Sequence, residues 1–362
     1  MNTPAYTTTY ANPQRSSRVD VAPHAVYQHV ERLVLTGPHR LEGRVTGILA
    51  DATRVAVRYG ERTVVLEPYG SRELWAEDPR WLATLRPDAL VLGPQLHPWD
   101  GEPMITLPPP GLFQESVQQW IGRLEDDVWC VGVTEDPAFD VQSMRIRVRG
   151  VGKREDDLSA PRWNLTWTGA PGAAVIASDG RVLVTALDRR LAVVGPGSVS
   201  TSEDPEMITD RRTDVFVHDL SAMDGGFMLL ATAEPAADGP PLLIALDDRG
   251  NERWRASVPF RVDHPPIDLG DGRTLVAGDG LACFADGKLR WSLPTGARST
   301  ATVLDARVIA LAHGRELHIL HADGKVRETV QLPGASDATS PPAVAPDGTL
   351  YVGTQTDAYA IR

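Results

Sequence analysis

Three features of the sequence predict an all-β fold built from repeated four-stranded units: a glycine that recurs at a fixed interval, short apolar runs separated by turn residues, and a last pair of strands that needs a partner from elsewhere in the chain. Gly250, Gly287 and Gly324 fall 37 residues apart (250 to 287, 287 to 324). Each follows an apolar run and precedes a second run that opens four residues later, on Trp254, Trp291 or Glu328. That is a hairpin repeated in register. The 32 Gly and 29 Pro among 362 residues add many turns and leave little room for helix.

Taken in order, the units fall near 39–78, 79–119, 120–169, 170–213, 214–262, 263–298 and 299–340. The first carries "TRVAVRYGERTVVLEPYGSRELW" at 53–75, with Gly70 five residues before Trp75, and the fourth carries "GRVLVTALDRRLAVVG" at 180–195. The second and third are looser copies with longer inserts. Self-similarity at about 40 residues from four short strands predicts a β-propeller, one blade per unit. The closing stretch 341–362 holds two runs, Thr349 to Gly353 and Ala358 to Ile361, that alternate like half-buried strands after the Asp347-Gly348 turn. Such a piece exposes an edge and buries too little surface to stand alone. "YQHVERLVLTG" at 27–37 is the expected missing outer strand, its "LVLTG" matching "SLPTG" at 292–296. The expectation is eight four-stranded blades closed by an N-terminal strand, with seven blades as the alternative. Residues 1–22 are expected to be a flexible tail and 23–362 a single propeller domain.

The run Ala245-Leu246-Asp247-Asp248-Arg249-Gly250 followed by Trp254, and "PDGTLYVGT" at 346–354, resemble the pyrroloquinoline-quinone-like propeller repeat, one residue short between Asp and Gly. The resemblance covers the chain from about 170 onward and more weakly 39–169. It implies the fold; the repeat class includes quinoprotein dehydrogenases and non-enzymatic scaffolds alike. Dehydrogenases of that class hold their cofactor against a disulfide between adjacent cysteines, with calcium and an Asp base. Here the two cysteines, Cys130 and Cys283, are 153 positions apart (283 − 130), so no cofactor is expected.

A net charge of −12 and the lack of clustered Lys and Arg argue against nucleic acid or an anionic membrane as partner. The first 24 residues show no basic-then-apolar signal, and no later run approaches the ~20 apolar residues of a spanning helix. With two cysteines in apolar strand-like runs, buried reduced thiols in a cytoplasmic protein are expected.

Nine Asp-Gly pairs recur, "DLGDGR" at 268–273 coming nearest to a calcium loop. The alternate-ligand spacing fails, and tight turns needing positive φ explain them. His313, His318 and His321 are clustered in sequence, but His318 and His321 need not converge in a strand, and no cysteine or acidic trio joins them at ligand spacing, so surface or turn histidines and no metal site are expected. No Gly-x-Ser-x-Gly elbow or Walker loop is present. Trp254 and Trp291 recur at one blade position, as residues that dock neighbouring blades do.

"PQLHPWDGEP" at 94–103, "TEDPAFDVQS" at 134–143 and "AEPAADGPP" at 233–241 are read as long turns between second and third strands, all on one face. Their aromatic tips make His97, Trp99 and Phe139 the candidate partner-binding residues. The functional expectation is a non-catalytic protein-binding scaffold or recognition module of a bacterial assembly, with protein partners. The alternatives are a hydrolase or lyase with its site at the mouth of the central channel, or a small-ligand sensor. No catalytic, cofactor or metal residues are assigned.

Overall fold

The computed structural model describes residues 21–33, 44–59, 62–67, 70–75, 83–85, 89–92, 95–99, 105–106, 116–124, 127–135, 143–151, 163–168, 171–177, 179, 181–186, 189–195, 207–234, 240–262, 264–295, 299–305, 307–334 and 336–362. Among these, all regular structure is strand, arranged in four-stranded sheets whose described pairings are antiparallel. Seven sheets are meanders in chain order, spanning 45–75, 83–106, 116–168, 171–212, 216–257, 267–294 and 299–331. The sequence units anticipate each of them, the third sheet opening four residues early at Ser116.

The eighth sheet is not local. Its order is Val30–Arg32, Ala358–Ile361, Leu350–Gly353, Ala343–Val344. Val30 pairs with Ile361, Glu31 with Ala360 and Arg32 with Tyr359, so the N-terminal segment supplies the outer strand, as its sequence predicts. The strand is three residues long, shorter than the 27–37 expected, and residues 34–37 lie outside the described residues. The tail at 1–20 does too, whereas Val21, assigned to that tail, is held by Leu304 O at 3.0 Å.

The described residues divide into two compact units, one of those up to Leu85 together with those of Phe260–Arg362, the other of those of Arg86–Pro259. In the first, the 45–75 sheet packs on the closing sheet: one apolar cluster joins Val45, Ile48 and Val57 to Val344, Leu350, Val352 and Ile361. The approach is so close that a Cβ on Gly353 would lie 2.3 Å from Val45 Cγ1. Thr339 Oγ1 donates to Val45 O at 2.7 Å across the same seam. In the second unit, Leu183, Leu191 and Val193 of the 171–212 sheet share a cluster with Leu220, Leu229 and Leu246 of the 216–257 sheet.

Middle strands are covered on both faces and outer strands on one. Leu281 to Phe284 are all about 1% exposed or less, whereas Glu252–Ser257 alternates between exposed and half-buried. This corrects the half-buried reading of the last two strands: Leu350–Gly353 and Ala358–Ile361 are buried at every position. Burial on both faces removes the polar alternation a one-sided strand would show.

Among the described residues, five of the Asp-Gly pairs perform turn chemistry, while Gly280 after Asp279 opens a strand. Gly225, Gly272, Gly287, Gly324 and Gly348, each following an Asp, have φ between +72° and +87°. Asp271, Asp323 and Asp347 accept the backbone N–H two residues on, from Arg273, Lys325 and Thr349. Two of these motifs also tie adjacent sheets together within a unit. Arg181, held by Asp179, reaches Asp248 O at 3.0 Å, and Arg273, held by Asp271, reaches Ala322 O at 3.0 Å. Trp291 docks beside the second tie, its Nε1 donating to Ala322 O at 3.1 Å with its ring against Gly324, as its recurrence predicts.

Candidate functional site

The 299–331 sheet turns from Val308–His313 to Glu316–His321 through Gly314 and Arg315. Gly314 has φ +51°, which the first central position of a tight hairpin favours. The turn is pinned from outside by Ala338 N on Gly314 O at 2.6 Å and Leu332 N on Arg315 O at 2.9 Å. His313 pairs with Glu316, and Leu311 with His318. Residues two apart in a strand share a face and direct cross-strand partners share one too, so His313, Glu316 and His318 stand together. The next strand, Val326–Gln331, adds Gln331 opposite Glu316 and Thr329 opposite His318.

Contacts follow this register. His313 Nε2 lies 2.7 Å from His318 Nε2, and the ring planes are parallel to within 3°. Glu316 Oε2 lies 3.0 Å from His318 Nε2. Gln331 Nε2 donates to Glu316 Oε1 at 2.5 Å, and Thr329 Oγ1 sits 3.0 Å from His318 Nδ1. Burial, and next the neighbouring His318, hold the His313 imidazole below its usual range. The Gln331 amide is the main cause that keeps the Glu316 carboxyl low.

The histidine reading from sequence is therefore corrected. His321 pairs with Val308, is exposed, and stays apart from the group, as expected of His318 and His321. It is His313 that meets His318, and Glu316 is the acidic residue that joins them within 4.8 Å. Spacing along one strand does not find this trio. The signal is the two-residue turn "HGRE", which sets His313 directly across from Glu316.

Of the three partner-site residues, His97 and Trp99 are described. "PQLHPWDGEP" is not a long turn between second and third strands: Gln95–Pro98 is itself the third strand, paired with Ala89–Leu92 across a two-residue connection. His97 sits opposite Leu90 at 7% exposure, in the sheet and not at a loop tip. Trp99, half-buried, opens the connection from the third strand to the fourth, Ile105–Thr106, at the other end of its sheet. Phe139 lies outside the described residues, but its segment does join second and third strands, Asp127–Glu135 and Ser143–Val151, as 233–241 joins Gly226–Thr232 and Leu242–Asp247.

Within the second unit, a cleft of about 200 Å³ is lined by Leu191, Arg211, Asp214, Leu229, Glu252 and Arg255, among others. Both carboxylates of the lining are held by Arg255. The Arg255 guanidinium forks onto Asp214 at 2.9 and 3.1 Å and onto Glu252 at 2.7 and 2.6 Å, and it holds the Asp214 carboxyl below the usual range. No helix among the described residues is long and apolar enough to cross a membrane.

No curated protein matches the chain. A family model described as "Outer membrane protein assembly factor BamB" matches residues 212–362. Similar solved structures include a streptogramin B lyase (10% identity, 92% of this chain and 97% of that one, TM-score 0.49). Two others are BamB from Moraxella catarrhalis (13%, 88% and 84%, 0.44) and the WD40 β-propeller domain of Doa1 (14%, 93% and 96%, 0.46). At such identities and TM-scores the three structures bear on neither residues nor reaction. The match over residues 212–362 bears out the resemblance to the pyrroloquinoline-quinone-like repeat there.

Proposed function

We propose that the protein is a non-catalytic β-propeller scaffold that binds one or more partner proteins within a larger assembly. The observation that carries this reading is the match of residues 212–362 to a family model named for an assembly factor. Two features of the molecule agree with it. The two carboxylates that line the Arg255 cleft, Asp214 and Glu252, are both held by that arginine, which fits a structural ion-pair network. Turn chemistry engages Asp271, Asp323 and Asp347, which accounts for these three without a ligand.

The surface we favour lies at the turn that begins with half-buried Trp99, since a large aromatic at a strand-to-strand connection suits an interface anchor. Cross-linking and affinity purification of the full chain from its native cells, followed by mass spectrometry, should recover one protein at near-stoichiometric yield. Trp99→Ala should then weaken the purified complex by about 2 kcal/mol with little change in melting temperature. His97→Ala, in a strand, should instead lower the melting temperature. Failure to recover a partner, or a small-molecule turnover by the purified chain, would count against the scaffold.

A further inference from the structure

We propose that His313, Glu316 and His318 form a binding site for one transition-metal dication of the zinc class. The proposal is independent of the scaffold reading. Three ligand atoms from the two strands of one pinned hairpin converge: the two Nε2 atoms are 2.7 Å apart, and Oε2 of Glu316 is 3.0 Å from one of them. Two imidazoles and a carboxylate form a mixed nitrogen and oxygen donor set that suits zinc, whereas calcium and magnesium take oxygen throughout. Without a cation these three acceptors have only shared protons to separate them. A dication satisfies all three lone pairs together.

The surroundings are arranged as a second layer around such an ion. With Thr329 Oγ1 accepting from His318 Nδ1–H, the Nε2 lone pair is left toward His313. The Gln331 amide occupies Glu316 Oε1 and leaves Oε2 toward His318. Ligands 2.1 Å from a tetrahedral ion are about 3.4 Å apart, so the two close pairs, at 2.7 and 3.0 Å, need to open by several tenths of an ångström and the third distance, within 4.8 Å, to settle to match, adjustments within the reach of side-chain rotation about a fixed turn. The side chains of Glu316 and His318 are 36% and 14% exposed, so the remaining position faces solvent and takes a water.

The full chain, stripped with a chelator and dialysed, is titrated with zinc chloride by calorimetry and checked by elemental analysis. One saturable ion per chain is expected, with a raised melting temperature. Side-chain NMR signals of His313 and His318 should move on addition of zinc while those of exposed His321 stay. His313→Ala and His318→Ala should each weaken binding at least tenfold, and His321→Ala should leave it unchanged. Circular dichroism verifies that the variants fold; should either not, Glu316→Gln and the wild-type NMR titration carry the decision. No saturable zinc binding, binding indifferent to these substitutions, equal loss in His321→Ala, or equal affinity for calcium would each overturn the assignment.

Discussion

Two sheets of the same unit solve one problem in different ways. The 299–331 sheet is built from consecutive residues, each strand joined to the next by a short turn, and its outer strand Val326–Gln331 is six residues long. The closing sheet takes its outer strand from the far end of the chain, and that strand, Val30–Arg32, is half as long. Side chains make up the difference. Tyr27, 2% exposed, donates its backbone N–H to both carboxylate oxygens of Glu328 at 3.0 and 3.2 Å and its hydroxyl to Gly348 O at 3.1 Å. Arg327 reaches His24 O at 3.0 Å, and Arg362 pairs with Glu31 at 3.2 Å. A local sheet gets its outer strand from a hairpin. A sheet closed by a distant segment needs anchors, because three ladder residues alone hold a free chain end weakly.

Removing the anchor segment entirely should produce the largest effect. Deletion of residues 1–38 should bare the Ala358–Ile361 edge and cause aggregation, while deletion of 1–20 should leave the melting temperature nearly unchanged. Light scattering and thermal melts of the two truncations decide it, and equal behaviour would mean the closing strand is dispensable.

Next comes the anchor alone. Tyr27→Ala empties a buried aromatic site and should cost about 3–5 kcal/mol, with faster trypsin cleavage after Arg32. Cleavage at the wild-type rate would show that the ladder suffices.

A matched pair of glycines sharpens the contrast at smaller amplitude. Gly348 and Gly324 have φ +87° and +84°, so alanine at either should cost roughly 1–3 kcal/mol from backbone strain. A Cβ at Gly348 meets Ala22 O at 2.9 Å, whereas one at Gly324 meets the Trp291 ring at 2.8 Å. Only Gly348→Ala should make residues 21–33 protease-sensitive.

The smallest effect is on pH dependence. Burial raises the Tyr27 phenol from 10.0 to about 12. The folded chain therefore holds a proton that the unfolded chain releases, and stability falls as pH rises from about 10 to 12. Tyr27→Phe should flatten that alkaline limb of the melting curve, and an unaltered limb would place the titration elsewhere.

The sequence by itself determined the repeat. The 37-residue glycine interval, the Asp-Gly turns and the sheet boundaries are local matters, because positive φ and hairpin length are written in a few adjacent residues. It also determined the partner of the last sheet, since a sheet that lacks its outer strand demands one and 27–37 is the segment shaped to serve, although its anchor, Tyr27, reads as an ordinary strand aromatic until Glu328 and Gly348 are placed around it. Tertiary structure decided the rest. Whether Leu350–Gly353 is covered on one face or two depends on the sheets beside it, and whether Trp99 opens one connection or another depends on which four residues of its unit form the third strand. The meeting of His313, Glu316 and His318 needed the register across a turn, because alternation along a strand assigns each side chain a face while only hydrogen-bonded pairing says which residue of the next strand shares it.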